Sequence, residues 1–351
     1  MVGGARAVGR GAGRRGTGSA GGLGGYLARR LGASALLLLL VLTLTFALLH
    51  AAPGSPADQL VTPGPGMAER QARLERTLGL DRPLHEQYAA WLGAAARGDW
   101  GTSLFQGRPV SRMIAEALPA TALLALAALF VEYVFALALG VWSARRRDRF
   151  ADHAIRAVSL LLFSIPTFWL GLMAILVLAH LWPVFPAGNM TSAGAEGWGA
   201  AARLADLARH LALPALVLGL GTGGATVRFV RDSLLDVLGE DFVRTARAKG
   251  LSERRVVGVH ALRNALAPLF QLLGLSLPAL LNGSLVVEVV FAWPGLGRLI
   301  FQAINARDLP VVLATTAVGG ALVLGGSLLA DLLHAAADPR VRHRREARAG
   351  V

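Results

Sequence analysis

Cysteine is absent from all 351 residues. Disulfides, thiolate metal sites and cysteine nucleophiles are therefore excluded. Lysine is reduced to Lys249, which is followed by Gly250. A GxxxxGK[ST] phosphate loop needs a lysine followed by Ser or Thr, so this chain is not itself a P-loop ATPase. No HExxH pair occurs, and His50, His153, His180, His260 and His334 are scattered over span ends and loops. No metal pair of that kind is available. GxSxG is missing too, which removes the nucleophile elbow of a hydrolase; Ser284 and Ser327 read as helix-packing residues. Charge is also scarce, at 16% of residues against roughly 25% in soluble domains.

What is present is apolar, at 54% of the chain, and it comes in blocks. Residues 1–25 are Gly- and Arg-rich with little to bury and read as a disordered tail. Nothing aromatic is interleaved with those arginines, so no nucleic-acid role is assigned. The first apolar run, 31–49, follows Arg29 and Arg30. A basic flank and the small residues Ala51 and Ala52 also suit a signal peptide, but the charge pattern downstream works best if the run stays as a span. Residues 51–116 form a hydrophilic insert in which Leu80, Leu84, Tyr88, Trp91 and Leu92 predict one short amphipathic helix.

Further spans are expected at 118–142, 155–181, 211–230, 266–290 and 310–334. Pro119 falls near the first turn of the second, where a missing N–H costs little. Ser164, Ile165 and Pro166 interrupt the third, and a mid-span proline kinks a helix. Gly219, Gly221, Gly223 and Gly224 lie in the fourth and suit close helix packing. Glu132 lies near the middle of the second span, as either a path-lining group or a hydrogen-bonded packing residue. The pore candidates are Glu132, Pro166, Asn282, Ser284 and Glu288.

The net charge of +13 reads as loop charge that orients membrane helices. Residues 1–30, 143–156, 228–263 and 335–351 carry 24 of the 35 basic residues, and the loops of the other side carry 11. The positive-inside rule places both termini and the polar stretch 239–263 in the cytoplasm, with six spans.

That stretch reads as a hairpin. A short helix rich in alternating charge ends at Lys249 and Gly250, where a left-handed residue suits a helix C-terminus. Ser252 is placed as the N-cap of a second helix, with Glu253 in its first turn.

Residues 244–268, RTARAKGLSERRVVGVHALRNALAP, resemble the EAA loop of binding-protein-dependent ABC importer permeases in its peptide-importer form. Ala246 and Gly250 match the general pattern. Arg244 and Thr245 stand where Glu and the first Ala are usual, and Arg263 where the distal Pro is common. The resemblance extends over most of the chain beyond residue 25. It is carried by LGLDRPLHEQY, the segments 98–103 and 118–121, the kink at Pro166, and EVVFAWPGLG at 288–297.

The resemblance implies an all-α membrane protein of the type I ABC importer (MetI-like) architecture, with a cytoplasmic coupling-helix hairpin. Its organisation would be a tail at 1–25, a first span within 26–50, the insert 51–116, a permease core at 117–336 and a basic tail at 337–351. It implies a subunit that imports dipeptides and oligopeptides, with a second homologous permease, two cytoplasmic ATPases and an extracytoplasmic solute-binding protein as partners. ATP would be bound by the partners, and this chain would hold no cofactor. The coupling residues carried over are Arg244, Thr245, Ala246, Arg247, Gly250, Leu251, Ser252 and Glu253. Import of nickel chelates by the same fold, and a proton-coupled secondary transporter using Glu132, are the alternatives. The absence of a visible inverted repeat argues against the second. The expected location is the cytoplasmic membrane, in contact with lipid and with no nucleic acid.

Overall fold

The computed structural model describes residues 23–54, 64, 66–79, 81–266, 269, 272, 276, 280 and 284–337. It is helical almost throughout; among the described residues the β pairing is an isolated bridge between Thr102 and Pro109. Four helices are long and apolar enough to cross a membrane: α1 (Leu23–Ala51), α4 (Val110–Arg145), α7 (Ala200–Leu238) and α11 (Leu309–Ala337). A bent pair, α5 (Phe150–Ser164) and α6 (Thr167–Ile175, run on by a π-helical stretch Leu176–Leu181), passes the same test together. Shorter helices are α2 (Met67–Leu78), α3 (Leu84–Ala95), α8 (Asp241–Ala248) and α10 (Leu296–Asn305). The continuous run of Glu253–Arg255, Val256–Ala261 and Leu262–Ala265 is α9. Most of the expected fifth span, including Asn282, lies outside the described residues, as do the bulk of the 1–25 tail and the end of the basic tail. The last turns of that span, 284–290, are helical.

Several boundaries differ from the sequence expectation. Helix α4 begins eight residues before its apolar block, at the N-cap Pro109. Arg108 and Arg112 both pair with Glu116, at 2.6 and 3.2 Å, and such charged turns extend a helix past its apolar part. Pro119 therefore sits inside the helix rather than in its first turn. The insert holds two helices, not one. Helix α2 was illegible because its sequence, MAERQARLERTL, is dominated by charge.

The core is the pair α4 and α7, the most extensive helix contact among the described residues. In lipid, helices associate through close packing and small residues rather than by escape from water. A Cβ on Gly219 would lie 2.5 Å from the Ala128 carbonyl oxygen of α4, and one on Gly224 would collide with the Ser159 carbonyl of α5. The glycine cluster is a packing surface for two helices. Buried Leu124, Ala128, Leu213 and Leu218 fill the space between. Helix α1 stands outside this core and packs on α11.

The break between α5 and α6 turns the chain by 102°. Ile165 and Pro166 both have extended backbone, with ψ of 129° and 131°. Proline disfavours the helical region for the residue before it, so the kink expected at Pro166 is a full corner.

Candidate functional site

The hairpin at 239–263 is formed by α8, a corner and α9. Gly250 has φ of 77°. Its N–H donates to the Arg247 carbonyl at 2.9 Å, and the Leu251 N–H to the Ala246 carbonyl at 3.4 Å. These are the two hydrogen bonds of a Schellman motif, and the accompanying apolar contact is present because Leu251 packs on the cluster that contains Ala246. No atom lies within 4 Å of where a Cβ on Gly250 would sit. The glycine is needed for its left-handed backbone, not for lack of room. Ser252 occupies the N-cap position with extended backbone, but its side chain makes no capping bond.

Arg247 closes the corner. Its Nε and Nη2 donate to the two carboxylate oxygens of Glu253 at 3.1 and 2.8 Å. The guanidinium holds the Glu253 carboxyl below its ordinary range, and the carboxylate raises the Arg247 pKa. Arg244 pairs more loosely with Asp241 at 3.3 Å.

One face of the hairpin is buried. Val243, Ala246, Val256, Val257, Ala261 and Ala265 pack against Ala144 at the end of α4 and Leu234 near the end of α7. The Ser233 hydroxyl adds a bond to the Ala265 carbonyl at 3.1 Å. The other face is exposed and carries Arg244, Thr245, Arg247, Gly250, Ser252 and Glu253. The eight coupling candidates thus divide. Six lie on the outward face, while Ala246 is buried and Leu251 half-buried within the hairpin's own core. Sequence reasoning missed Phe242 and Val259, which stand 42% and 57% exposed on the same hairpin. Their signal was two apolar residues out of phase with the buried valines.

An ion pair lies behind the hairpin. Asp152 of α5 is fully buried and receives Nε and Nη2 of Arg231 from α7, each at 2.7 Å. It also accepts from the Ser143 hydroxyl at 2.5 Å and the Asp148 N–H at 3.0 Å. Every acceptor site of the carboxylate is engaged, as a buried charge requires. This cluster binds the basic turn after α4 to α7, and neither Asp152 nor Arg231 was a sequence candidate.

The pore candidates do not converge. Glu132 is buried between α4 and α7 and accepts from Thr226 at 2.6 Å and Thr222 at 3.2 Å. Glu288 is fully buried elsewhere. It accepts from the Thr121 hydroxyl at 2.8 Å, the Gly297 N–H at 2.6 Å and the Arg298 N–H at 3.1 Å. Ser284 is buried one turn before it, and Pro166 is exposed at the α5–α6 corner. Glu288 organises the turn 291–297. Thr121 accepts the Leu296 N–H at 2.8 Å, and the Trp293 indole donates to the Ala120 carbonyl at 2.8 Å. At the same end of the molecule, Asp308 at the start of α11 accepts from the Ser103 hydroxyl and the Leu104 and Phe105 N–H groups.

Residues 136–343 match the sequence model described as binding-protein-dependent transport system inner membrane component, and residues 24–125 match the model for its N-terminal part. The oligopeptide transport system permease protein AppB of Bacillus subtilis is 40% identical over 319 residues, covering 91% of this chain and 99% of the relative. The dipeptide transport system permease protein DppB of Escherichia coli K12 is 34% identical over 336 residues, again 91% and 99%. Among solved structures, an inward-facing MetNI methionine ABC transporter covers 64% of this chain and 98% of its own, with 19% identity and a TM-score of 0.48.

Proposed function

Because this chain belongs to the family of binding-protein-dependent transport system inner membrane components, we propose that it is the permease subunit of an ATP-driven importer of dipeptides and oligopeptides. The peptide substrate is supported by the relatives, whose names describe oligopeptide and dipeptide permeases. The observation that carries the mechanism is the hairpin: a stiff corner with an outward polar face, packed directly on the ends of α4 and α7. The basic loops favour the cytoplasmic side for that corner and for both termini.

In this reading a second homologous permease completes the pore, two cytoplasmic ATPases supply the nucleotide sites, and an extracytoplasmic solute-binding protein delivers the peptide. The hairpin seats in a cleft of one ATPase. An ATPase that grips it differently in its two states biases the pore between two conformations. Arg244, Thr245, Arg247, Gly250, Ser252 and Glu253 would form the contact surface. Ala246 and Leu251 would hold its shape from inside.

The test is uptake of a labelled dipeptide by proteoliposomes holding the complete complex, with ATP clamped. ATP-dependent, protonophore-insensitive uptake is expected. Uptake that follows a proton gradient without ATP would overturn the reading in favour of a secondary transporter.

A further inference from the structure

Between α4, α5 and α7, beside the basic turn 145–149, lies a cavity of about 430 Å³ that the transport reading does not use. Helix α4 contributes Phe135 and Trp142 to its walls and α5 contributes Phe150 and Leu162, while the buried Gly223 and Gly224 of α7 lie at its floor. Apart from Ser159 and the Trp142 indole N–H, every lining side chain is apolar. A water here would lack the two to four polar partners it needs, so the fitting occupant is hydrocarbon.

The rim separates a lipid chain from a helix. Helices that pack closely in a membrane meet through small residues. Here the rim is aromatic, with Trp142 48% and Phe150 88% exposed, and the small residues sit below it. A second helix would have to seat on the rings, whereas a flexible chain passes between them to the glycines. Length agrees. The α5 wall runs twelve residues from Phe150 to Leu162, about 18 Å at 1.5 Å per residue, against about 15 Å for half of the hydrocarbon core.

Charge at the mouth selects the headgroup. Residues 145–149 hold four arginines and one aspartate, a formal charge of +3. Arg147 is paired with Asp148 at 3.2 Å, and Arg145 is within electrostatic reach of Glu253. Arg146 and Arg149 are exposed and have no carboxylate partner among the described residues. The Arg146 guanidinium stands over the Trp142 ring, 5.7 Å from its centre, so a cation lies directly beside one wall of the cavity. Arg149 immediately precedes Phe150 in the other wall. Tryptophan collects at this headgroup depth.

We propose that this cavity holds an acyl chain of an anionic phospholipid whose phosphate is bound by Arg146 and Arg149. Its assignment to the inner leaflet rests on the cytoplasmic placement of the basic loops proposed above; the site itself does not.

The test takes the full chain with whatever subunits co-purify, in detergent with trace phosphatidylglycerol or phosphatidylcholine carrying a photoreactive diazirine on the acyl chain. After irradiation and washing, labelled peptides are mapped by mass spectrometry. Neither ATP nor peptide is involved, so the result is independent of the transport reading. Phosphatidylglycerol should label segments 135–142 and 150–162 in preference to phosphatidylcholine. Arg146→Gln with Arg149→Gln should lower that preference about thirtyfold, the equivalent of about 1 kcal/mol for each arginine. Ala154 also lines the cavity, and Ala154→Phe fills it without touching a charge; labelling of both segments should fall severalfold. Either variant decides if the other fails to fold. Equal labelling by the two lipids, or a preference kept by the arginine variant, would overturn the headgroup assignment. Unlabelled segments in the wild-type complex would mean that another subunit covers the cavity and would overturn the lipid. Unchanged labelling in Ala154→Phe would place the lipid on the outer surface and overturn the site.

Discussion

Arg231 holds Asp152 with two bonds of 2.7 Å, joining α7 to α5 directly behind the hairpin. Removing one partner of a buried pair leaves the other charge uncompensated, at a cost of about 3–5 kcal/mol. Asp152→Ala should therefore lower the thermal midpoint of the purified protein markedly. Pairing it with Arg231→Met should recover much of the loss. A double variant no better than the single one would show that the pair is not the source of the effect.

Gly250 separates backbone from bulk. Its left-handed φ costs a side-chain-bearing residue about 1–2 kcal/mol, and asparagine least, while the space around it is open. Gly250→Asn should leave both insertion and peptide uptake near normal. Gly250→Trp should insert normally yet hydrolyse ATP without uptake, measured in the same proteoliposomes. Full uptake by the tryptophan variant would remove the corner from the contact with the ATPase.

The Arg247–Glu253 fork is 42% and 55% exposed, and exposed pairs contribute only about 0–1 kcal/mol. Arg247→Glu or Glu253→Arg should thus spare thermal stability while reducing uptake, and the exchanged double variant should regain more uptake than either. The Glu253 carboxyl is held below its ordinary range by the Arg247 guanidinium. The stability from that carboxylate is present above its unfolded pKa and is lost as pH falls through the folded one. Glu253→Gln should therefore shift the thermal midpoint at neutral pH by no more than the small amount such an exposed pair contributes, and melts in acid should show no difference from the wild type.

Glu288 is fully buried and accepts from Thr121, Gly297 and Arg298. Glu288→Gln can keep an amide oxygen on the Gly297 and Arg298 N–H groups, but its NH2 replaces the oxygen that accepts from the Thr121 hydroxyl, at a cost of about 1–3 kcal/mol. A Cβ on Gly295 would land 2.5 Å from both the Glu288 carboxyl carbon and the Thr121 hydroxyl. Gly295→Ala should be the harsher change, read as loss of folded protein on size exclusion, and Thr121→Ala should soften it.

The sequence made some features plain and hid others, for identifiable reasons. Apolar blocks and loop charge showed where spans lie, because lipid demands long apolar runs. Helix ends were misjudged, as at Pro119, because α4 continues through charged turns where hydropathy says nothing. The Gly250 corner was legible since a left-handed residue after a cation is a local signal. Which side of the hairpin faces inward was not. Ala246 is buried through contacts with Ala144 and Leu234, about a hundred and a dozen residues away. Glu132 and Glu288 looked alike as polar interruptions, and only their partners distinguish one buried network from the other. Asp152 and Arg231 are ordinary charges in sequence and become a unit only through the α5–α7 crossing.

The α5–α6 corner differs mechanically from everything around it. The hairpin is joined to α4 and α7 by apolar packing, and α7 to α5 by the ion pair, so a push on that corner moves three helices as one stiff block. At Ile165 and Pro166 the chain is extended and the helical ladder is interrupted. The rigid connection through the helical ladder therefore ends at this joint, and beyond it α6 is held by its own side-chain packing on the core, through Leu170, Ala174 and Ile175. A disulfide engineered across the corner should lock the pore without touching the hairpin.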